Sequence, residues 1–262
     1  MKKHVILLLS LFGMLMIGVP VSAKEKVVVI PMLANKSMNN IVTVAKSGGD
    51  FTDLQKAIDS ITDASLENPY LIVIAPGRYR VEQTITMKPW VSITGSGQKV
   101  TTLWGNIGSS SIDTAAIIQG ASDVELSNIS IANLGLTSSL NYAAGLYCSD
   151  VKNVFLKNVS VLILPGPQPA ANITAVYNLD ESYLRLTDVD ARAIGGGATA
   201  LYNSTNSISH VNNSVLWGDG KGASIGDSLT RIVNSIIQGG VTSGSASQCR
   251  NTYNLELHPV SC

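Results

Sequence analysis

The strongest constraint on the fold is a repeat of short apolar segments that carry Asn or Asp at their third position. It is clearest in Leu-Lys-Asn-Val-Ser-Val at residues 156–161. The repeated positions are spaced 30, 30, 25 and 21 residues apart and are Asn128, Asn158, Asp188, Asn213 and Asn234. A variable period of this size, with alternating apolar residues and no long helical pattern, predicts a solenoid of stacked strands.

We therefore predict an all-β fold, a single-stranded right-handed parallel β-helix. Each turn buries Leu, Ile and Val in a shared core and bonds to its neighbours at a spacing of ~4.8 Å. Asn suits the bends because it tolerates the left-handed conformation, and stacked amides can bond along the column. Ahead of the first full turn, Thr52 and Gln55 predict a capping box and a short helix. This N-terminal helix would cap the open end of the solenoid with its apolar face, Leu54, Ala57, Ile58 and Ile61.

The first 23 residues have the pattern of a signal peptide. Lys2 and Lys3 precede an apolar run from Val5 to Val21, and Val-Ser-Ala ends at residue 23. The pattern predicts cleavage before Lys24, with an uncleaved anchor as the alternative. We expect a secreted or periplasmic protein with no stable membrane insertion after the signal is removed.

The rest of the chain divides into a lead-in at 24–41, a β-helix at 42–248 and a tail at 249–262. Cys249 and Cys262 could close the tail with a disulfide, worth ~3 kcal/mol in the loop-entropy model. Cys148 follows Leu146 by two residues on a predicted strand, which points its side chain into the core.

Charge and histidine content limit the partners. Removal of Lys2 and Lys3 lowers the basic residues from 18 to 16 against 18 acidic ones. This balance gives no reason to expect nucleic acid or anionic membranes. His210 and His258 are far apart and lack Cys or carboxylate at metal spacing, so neither a metal site nor a Ser-His-Asp triad is expected. We expect no cofactor.

Three segments in the first half carry a family resemblance. They read Gly-Asp-Phe-Thr-Asp-Leu-Gln-Lys-Ala-Ile at 49–58, Pro-Gly-Arg-Tyr-Arg-Val-Glu at 76–82, and Thr-Gly-Ser-Gly at 94–97 followed by Thr-Thr-Leu-Trp-Gly-Asn at 101–106. Together they resemble the opening turns of pectinesterases, within the pectin-lyase-like superfamily. The resemblance covers residues 42 to about 140 and implies a right-handed parallel β-helix.

The catalytic motifs of that family are not found. The resemblance would require a Gln before a small-apolar run, then Gln-Asp-Thr, Asp-Phe-x-Phe-Gly and Gly-Arg-Pro-Trp. Tyr142 stands where the Gln would be, and the other three motifs are absent from the sequence. Without the paired aspartates, ester hydrolysis by that mechanism lacks both its nucleophile and its proton donor.

Two groups of side chains are candidates for a site. Asp188, Asp190 and Arg192 alternate along one predicted strand, and two carboxylates can divide acid and base roles when their pKa values differ. Because Asp188 also belongs to the Asn column, a surface charge cluster is the alternative.

The second group consists of tyrosines in one register, each following a branched residue: Tyr147, Tyr177 and Tyr202, with Ile118 expected to continue the column at the preceding turn. An exposed aromatic strip would suit sugar rings, with Tyr142 as a further binding residue. The alternative is a mutually packed ladder that only stabilises the stack.

The sequence thus predicts an exported polysaccharide-binding β-helix protein that resembles pectinesterases without methylesterase activity. Its expected partner is an extracellular or cell-envelope polysaccharide, pectin-like or otherwise. One alternative is a carbohydrate-active enzyme, either a divergent pectinesterase or another hydrolase or lyase of the superfamily. The other is a structural or adhesive surface module.

Overall fold

The computed structural model describes residues 40–134, 141–166, 172–242 and 247–262. The predicted signal peptide lies outside these ranges, as does most of the predicted lead-in. Strands dominate the described residues, and each pairs in parallel with a strand of a neighbouring coil; Val154, for example, pairs with Leu184. The predicted parallel β-helix is therefore confirmed. No helix in this part of the chain is long and apolar enough to span a membrane.

The named strands form two sheets. The larger sheet has 13 strands, which are β1 (Ile41–Val44), β2 (Tyr70–Ile74), β3 (Gly77–Val81), β5 (Val91–Thr94), β6 (Thr101–Gly105), β8 (Val124–Leu134), β10 (Val154–Leu164), β12 (Tyr183–Ala193), β14 (Ile208–Asn212), β15 (Val215–Gly218), β17 (Leu229–Val233), β18 (Ile236–Gln238) and β20 (Gln248–Arg250). The seven-stranded sheet consists of β4 (Ile85–Thr86), β7 (Ala116–Gln119), β9 (Tyr142–Ser149), β11 (Asn172–Leu179), β13 (Thr199–Asn203), β16 (Lys221–Ile225) and β19 (Val241–Thr242).

The larger sheet is divided by a bend into two faces. Strands β8, β10 and β12 run through the bend, so each contributes to both faces. We call the part before the bend the pre-bend face, with β14, β17 and β20 in its last coils. The part after it, with β3, β6, β15 and β18, is the post-bend face. Each coil therefore presents three strand segments around one core.

The bends occur at the predicted Asn column. All five positions have φ between 47° and 57°, and Asn251, with φ 49°, adds a sixth that the sequence pattern missed. The side chains bond along the column, since Asn158 Nδ2 donates to Asn128 Oδ1 at 2.8 Å and Asn251 Nδ2 to Asn234 Oδ1 at 3.2 Å. The predicted role of these residues at the bends is confirmed.

The C-terminal segment continues the repeat. Cys249 in β20 pairs with Ile232 in β17, so the expected boundary between residues 248 and 249 falls inside a strand. The chain then returns along itself, and the sulfur atoms of Cys249 and Cys262 lie at bonding distance with their Cα atoms 5.5 Å apart.

The predicted helix is present as α1 (Leu54–Ser60), and a 3-10 turn spans Ile112–Thr114. The predicted capping box is wrong, because Asp53 caps α1 by accepting from the Lys56 N–H at 2.9 Å. Gln55 turns away and instead accepts from the Thr86 N–H at 2.8 Å. The buried face of α1 joins the core of the coils through Leu54, Ala57 and Ile58.

The core is built mainly from Ile, Leu, Val and Ala. Cys148 is fully buried in it, as predicted, and burial raises the pKa of its thiol to about 12. One coil later the same register position holds Asn178, followed by Asn203. Asn178 Nδ2 donates to Asn203 Oδ1 at 2.7 Å, which gives these two buried groups a partner inside the core, whereas Asn178 Oδ1 accepts no hydrogen bond from the described residues.

Candidate functional site

A row of outward side chains crosses the seven-stranded sheet at one residue per coil. Backbone pairing places Tyr147, Tyr177 and Tyr202 in one register, so their predicted alignment is confirmed. The expected continuation through Ile118 is wrong, because Gln119 pairs with Tyr147. Ile118 instead pairs with Leu146 and is fully buried, since a shift of one residue moves a side chain to the other face of a sheet. We call this set the tyrosine row: Gln119, Tyr147, Tyr177, Tyr202 and Ser224.

The tyrosine row is not an exposed aromatic strip along its whole length. Tyr147 and Tyr177 are only 7% and 6% exposed, which contradicts the expected exposure of these two rings. They pack with Ala116 and Ala144 into a second apolar cluster outside the sheet. The partly buried side chains around this cluster are Ile112, Tyr142, Leu179 and Tyr202. The rings of Tyr177 and Tyr202 are tilted by 55° with their centroids 5.4 Å apart.

A chain segment before β7 forms one wall of the site. The backbone of Ser109 pairs with that of Tyr142 in both directions, at 3.1 and 3.0 Å. The following 3-10 turn brings Ile112 against the ring cluster. This wall explains why apolar rings on the outside of a strand are covered rather than exposed to solvent.

Beside the buried rings lies an open groove of about 440 Å³. Its floor includes Thr174 and Thr199, which are adjacent in register and nearly buried. Its sides include the half-buried rings of Tyr142 and Tyr202, with Lys221 at the far end. The groove therefore combines aromatic surface with hydroxyl groups, a composition that suits a neutral sugar.

The groove offers little for acid–base chemistry. Burial raises the pKa of the Tyr177 phenol, which a hydrogen bond with Thr174 partly opposes, so the phenol stays protonated at neutral pH. Among the described residues, no carboxylate lines the groove. The internal stretches 135–140, 167–171 and 243–246, which lie outside the described residues, contain no Asp or Glu in their sequence. Glu82 and Asp113 line a separate depression of about 420 Å³, together with Gln119 of the tyrosine row.

The residues considered for catalysis lie on the larger sheet, not on the seven-stranded one. Asp188 is at the bend, where its carboxylate accepts from Asn213 Nδ2. Asp190 and Arg192 lie beyond the bend and form an ion pair, with Arg192 Nε 2.7 Å from Asp190 Oδ1. That hydrogen bond raises the pKa of Arg192, and the guanidinium also lies 5.2 Å from the centroid of the Trp217 ring.

Sequence reasoning missed the hydroxyl groups of the groove floor. Thr174 and Thr199 were not singled out, although each lies three residues before a tyrosine of the row. That constant offset was the available signal. Among the described residues, no group of three or more His, Cys, Asp or Glu is arranged to hold a metal ion.

Comparisons with known proteins bear on the fold. No protein-family model matches the chain, and no curated protein matches it significantly in sequence. Solved structures do match. The pectin methylesterase from Aspergillus niger has a TM-score of 0.54 at 14% identity, covering 83% of this chain and 86% of that one. Pectin methylesterase PemA from Erwinia chrysanthemi has a TM-score of 0.51 at 14% identity, covering 84% and 90%.

A viral protein is similar as well. ORF18 of Geobacillus virus E2 has a TM-score of 0.60 at 11% identity, covering 82% of this chain and 48% of that one. At such low identities the likeness concerns the fold. The chain shares the parallel β-helix of pectin methylesterases.

Proposed function

From the fold shared with pectin methylesterases, we propose that this chain is an exported polysaccharide-binding protein without methylesterase activity. The ligand lies in the groove beside the tyrosine row. The observation that carries the proposal is a groove with aromatic sides and a hydroxyl floor in which no described residue supplies a carboxylate. The predicted signal peptide at 1–23 accounts for export.

Binding follows from the chemistry of the groove. A sugar ring offers apolar C–H surface to an aromatic face and hydroxyls to polar neighbours. Tyr142 and Tyr202 are half-buried and so present ring surface to a ligand. Thr174 and Thr199 lie between them on the floor and can donate to or accept from sugar hydroxyls.

The proposed lack of esterase activity rests on the residues that line the groove and on the motifs absent from the sequence. Ester hydrolysis through a carboxylate nucleophile needs one acid to attack and a second group to protonate the leaving alcohol. Tyr142 occupies the place of the family's Gln, and the aspartate motifs are absent from the sequence. Lys221 is the one charged residue among those lining the groove in the described part of the chain.

The binding proposal is tested with Tyr142→Ala and Tyr202→Ala, alone and combined. Affinity electrophoresis through gels containing highly methylesterified pectin, xylan or dextran measures retention by each polymer. We expect the double variant to lose about tenfold or more in affinity for the polymer that retains the parent protein, about 1.4 kcal/mol. Tyr253→Ala is the matched control, because Tyr253 is 40% exposed and lies in the C-terminal segment. Unchanged retention of a folded double variant would reject the groove as the binding site.

The esterase part is tested by methanol release from highly methylesterified pectin, with heat-treated protein as the control. Release in proportion to protein concentration would overturn the proposal and favour the enzyme alternative. Glu82→Gln and Asp113→Asn would then identify the acids responsible, beside Asp188→Asn and Asp190→Asn. Export is checked by the N-terminus of the secreted protein, which we expect to be Lys24.

A structural or adhesive module is the second candidate. The burial of Tyr147 and Tyr177 favours it, because rings that pack on each other stabilise the stack whether or not a ligand is bound. Retention by none of the polymers, in a protein that unfolds cooperatively, would support this reading over glycan binding.

A further inference from the structure

The pre-bend face carries one basic residue on each of five successive coils. Arg185, His210 and Arg231 pair directly with one another across β12, β14 and β17. Lys157 and Arg250 lie two positions further along their strands, in a row that continues through Thr187, Asn212 and Val233. We call this set the basic strip: Lys157, Arg185, His210, Arg231 and Arg250.

The spacing of the strip is fixed by the fold. Neighbouring coils are separated by ~4.8 Å, so five coils spread these groups over roughly 19 Å along the solenoid axis, in two adjacent rows. The four Lys and Arg side chains are exposed and His210 is half-buried. In the register of Arg185, the position one coil earlier holds Phe155 and the position two coils earlier holds Glu125. The basic residues of this face therefore follow an acidic one.

Among the described residues, no cation of the strip forms an ion pair. The ion pairs found there include Arg80–Glu82, Asp190–Arg192 and Glu256–His258, and none involves the strip. Like charges placed this close repel each other, so the arrangement costs stability unless an anion neutralises it. The lowered pKa of His210 has partial burial as its largest cause, and repulsion by Arg185 and Arg231 adds to it.

Arg185 is held in place by its neighbours. Its guanidinium carbon lies 5.4 Å from the centroid of the Phe155 ring and 5.8 Å from that of Tyr183, and its Nη2 donates to the Tyr183 hydroxyl at 2.8 Å. The same hydroxyl lies 3.3 Å from His210 Nδ1. A pre-positioned cation loses less conformational entropy when it binds an anion.

The strip is narrow, which limits the shape of its partner. Exposed acids flank it at the turns before the strands, Glu181 and Asp227, and at the bend after them, Asp188. These acids would repel a broad polyanion such as a membrane surface or a nucleic-acid duplex, whereas a single slender chain can follow the basic line between them.

We propose that the basic strip binds a linear acidic polysaccharide that carries a carboxylate on successive sugar units. Such a chain is flexible, one sugar wide and charged at regular intervals, which matches one cation per coil. This site goes beyond the proposed groove, because it belongs to the larger sheet and recognises charge instead of sugar faces.

The test measures binding of alginate, a linear uronic-acid polymer, to the full mature protein at low salt. The strip variants are Arg185→Gln with Arg231→Gln, and Arg231→Gln with Arg250→Gln, the second pair sparing the packing of Arg185. Arg78→Gln with Arg80→Gln is the control, because it removes the same charge from β3 on another face. We expect each strip double variant to lose about tenfold in affinity for alginate and the control double variant less than about twofold.

Added salt should lower the alginate affinity of the parent protein more than that of either strip double variant.

Other outcomes overturn the inference. Equal loss in the control would mean that net charge alone sets the affinity. Single-stranded DNA bound as tightly as alginate at the same salt would identify a nucleic-acid surface instead. If the variant with Tyr142→Ala and Tyr202→Ala lost alginate binding while the strip variants bound normally, the acidic polymer would bind in the groove and not on the strip. The groove proposal is judged separately, by whether the strip variants still retain the polymer that binds the parent protein in the affinity gels.

Discussion

At the scale of single residues, position in the coil decides what each aromatic side chain can do. Tyr147 and Tyr177 are covered by Ile112, Leu179 and their own neighbours, so replacing them would disturb packing. Tyr142 and Tyr202 lie at the margin of that cluster and keep part of their surface open. For this reason the binding experiment changes the marginal rings and leaves the buried ones intact.

His210 gives a pH-dependent prediction at the same scale. Burial first, and then Arg185 and Arg231, lower its pKa below the usual 6.5, and the Tyr183 hydroxyl is its polar neighbour. A bound polyanion favours the protonated ring, so alginate affinity should rise severalfold between about pH 7.5 and 5.5, where uronate carboxylates stay ionised. Titration calorimetry at several pH values measures this. His210→Gln should flatten the profile and His258→Gln should not; equal profiles for the parent protein and His210→Gln would contradict the assignment.

Without ligand, His210 has the opposite effect on stability. The unfolded chain takes up the proton near pH 6.5, whereas the folded protein takes it up only at lower pH. The unfolded state therefore binds more protons in this window, and the contribution of His210 to stability falls as the pH drops below 6.5. His210→Gln should therefore lose less stability than the parent protein between about pH 7 and 5, as measured by urea unfolding at each pH.

At the scale of elements, the bends determine how strands become coils. Each bend residue holds a left-handed conformation that most residues avoid, and its side chain can bond to the bend residue of a neighbouring coil. The bend turns one long strand into parts of two faces, so β8, β10 and β12 each build both the pre-bend and the post-bend face.

Asn158 makes the bend testable. Asn158→Ala loses the bond to Asn128 and places at φ 55° a residue that tolerates the left-handed conformation less well than Asn, which together should cost about 2 kcal/mol of unfolding free energy. Asn158→Gly loses only the bond, because glycine accepts this φ, and should cost about half as much. Urea unfolding measures both values, with Asn212→Ala on the exposed strand surface as the control. If Ala and Gly destabilise equally, backbone strain contributes nothing at this bend.

At the scale of the whole molecule, stability is distributed along the axis. Each coil contacts only its neighbours, so the last coil is held by one interface and by whatever closes the C-terminal segment. Cys249 lies in the final strand, and Cys262 returns to it across a separation of 13 residues. A covalent link here would keep the last coil from fraying.

Removing the disulfide should lower the stability of the protein measurably. Cys249→Ser with Cys262→Ser should lower the unfolding free energy by up to ~3 kcal/mol, because the unfolded chain regains the freedom of the open loop. Reductant should lower the stability of the parent protein by a similar amount and leave the double variant unchanged. Thiol titration of the denatured, unreduced protein should find only Cys148 free. Three reactive thiols would contradict the pairing.

The sequence by itself determined the coil and its bends, because strand alternation and the tolerance of Asn for a left-handed conformation are local properties. The short C-terminal coil at Asn251 was missed, and the capping box was wrong because Gln55 bonds to Thr86 on another segment while Asp53 caps the helix locally. Only the tertiary structure decided that Tyr147 and Tyr177 are covered, because Ile112 reaches their cluster from the segment before β7 and the two rings come from neighbouring coils. It also brought Lys157 and Arg250, at opposite ends of the strip, onto the same face as Arg185, His210 and Arg231. The physical reason is lateral register: turns of unequal length separate the coils, and only their stacking fixes which side chains become neighbours.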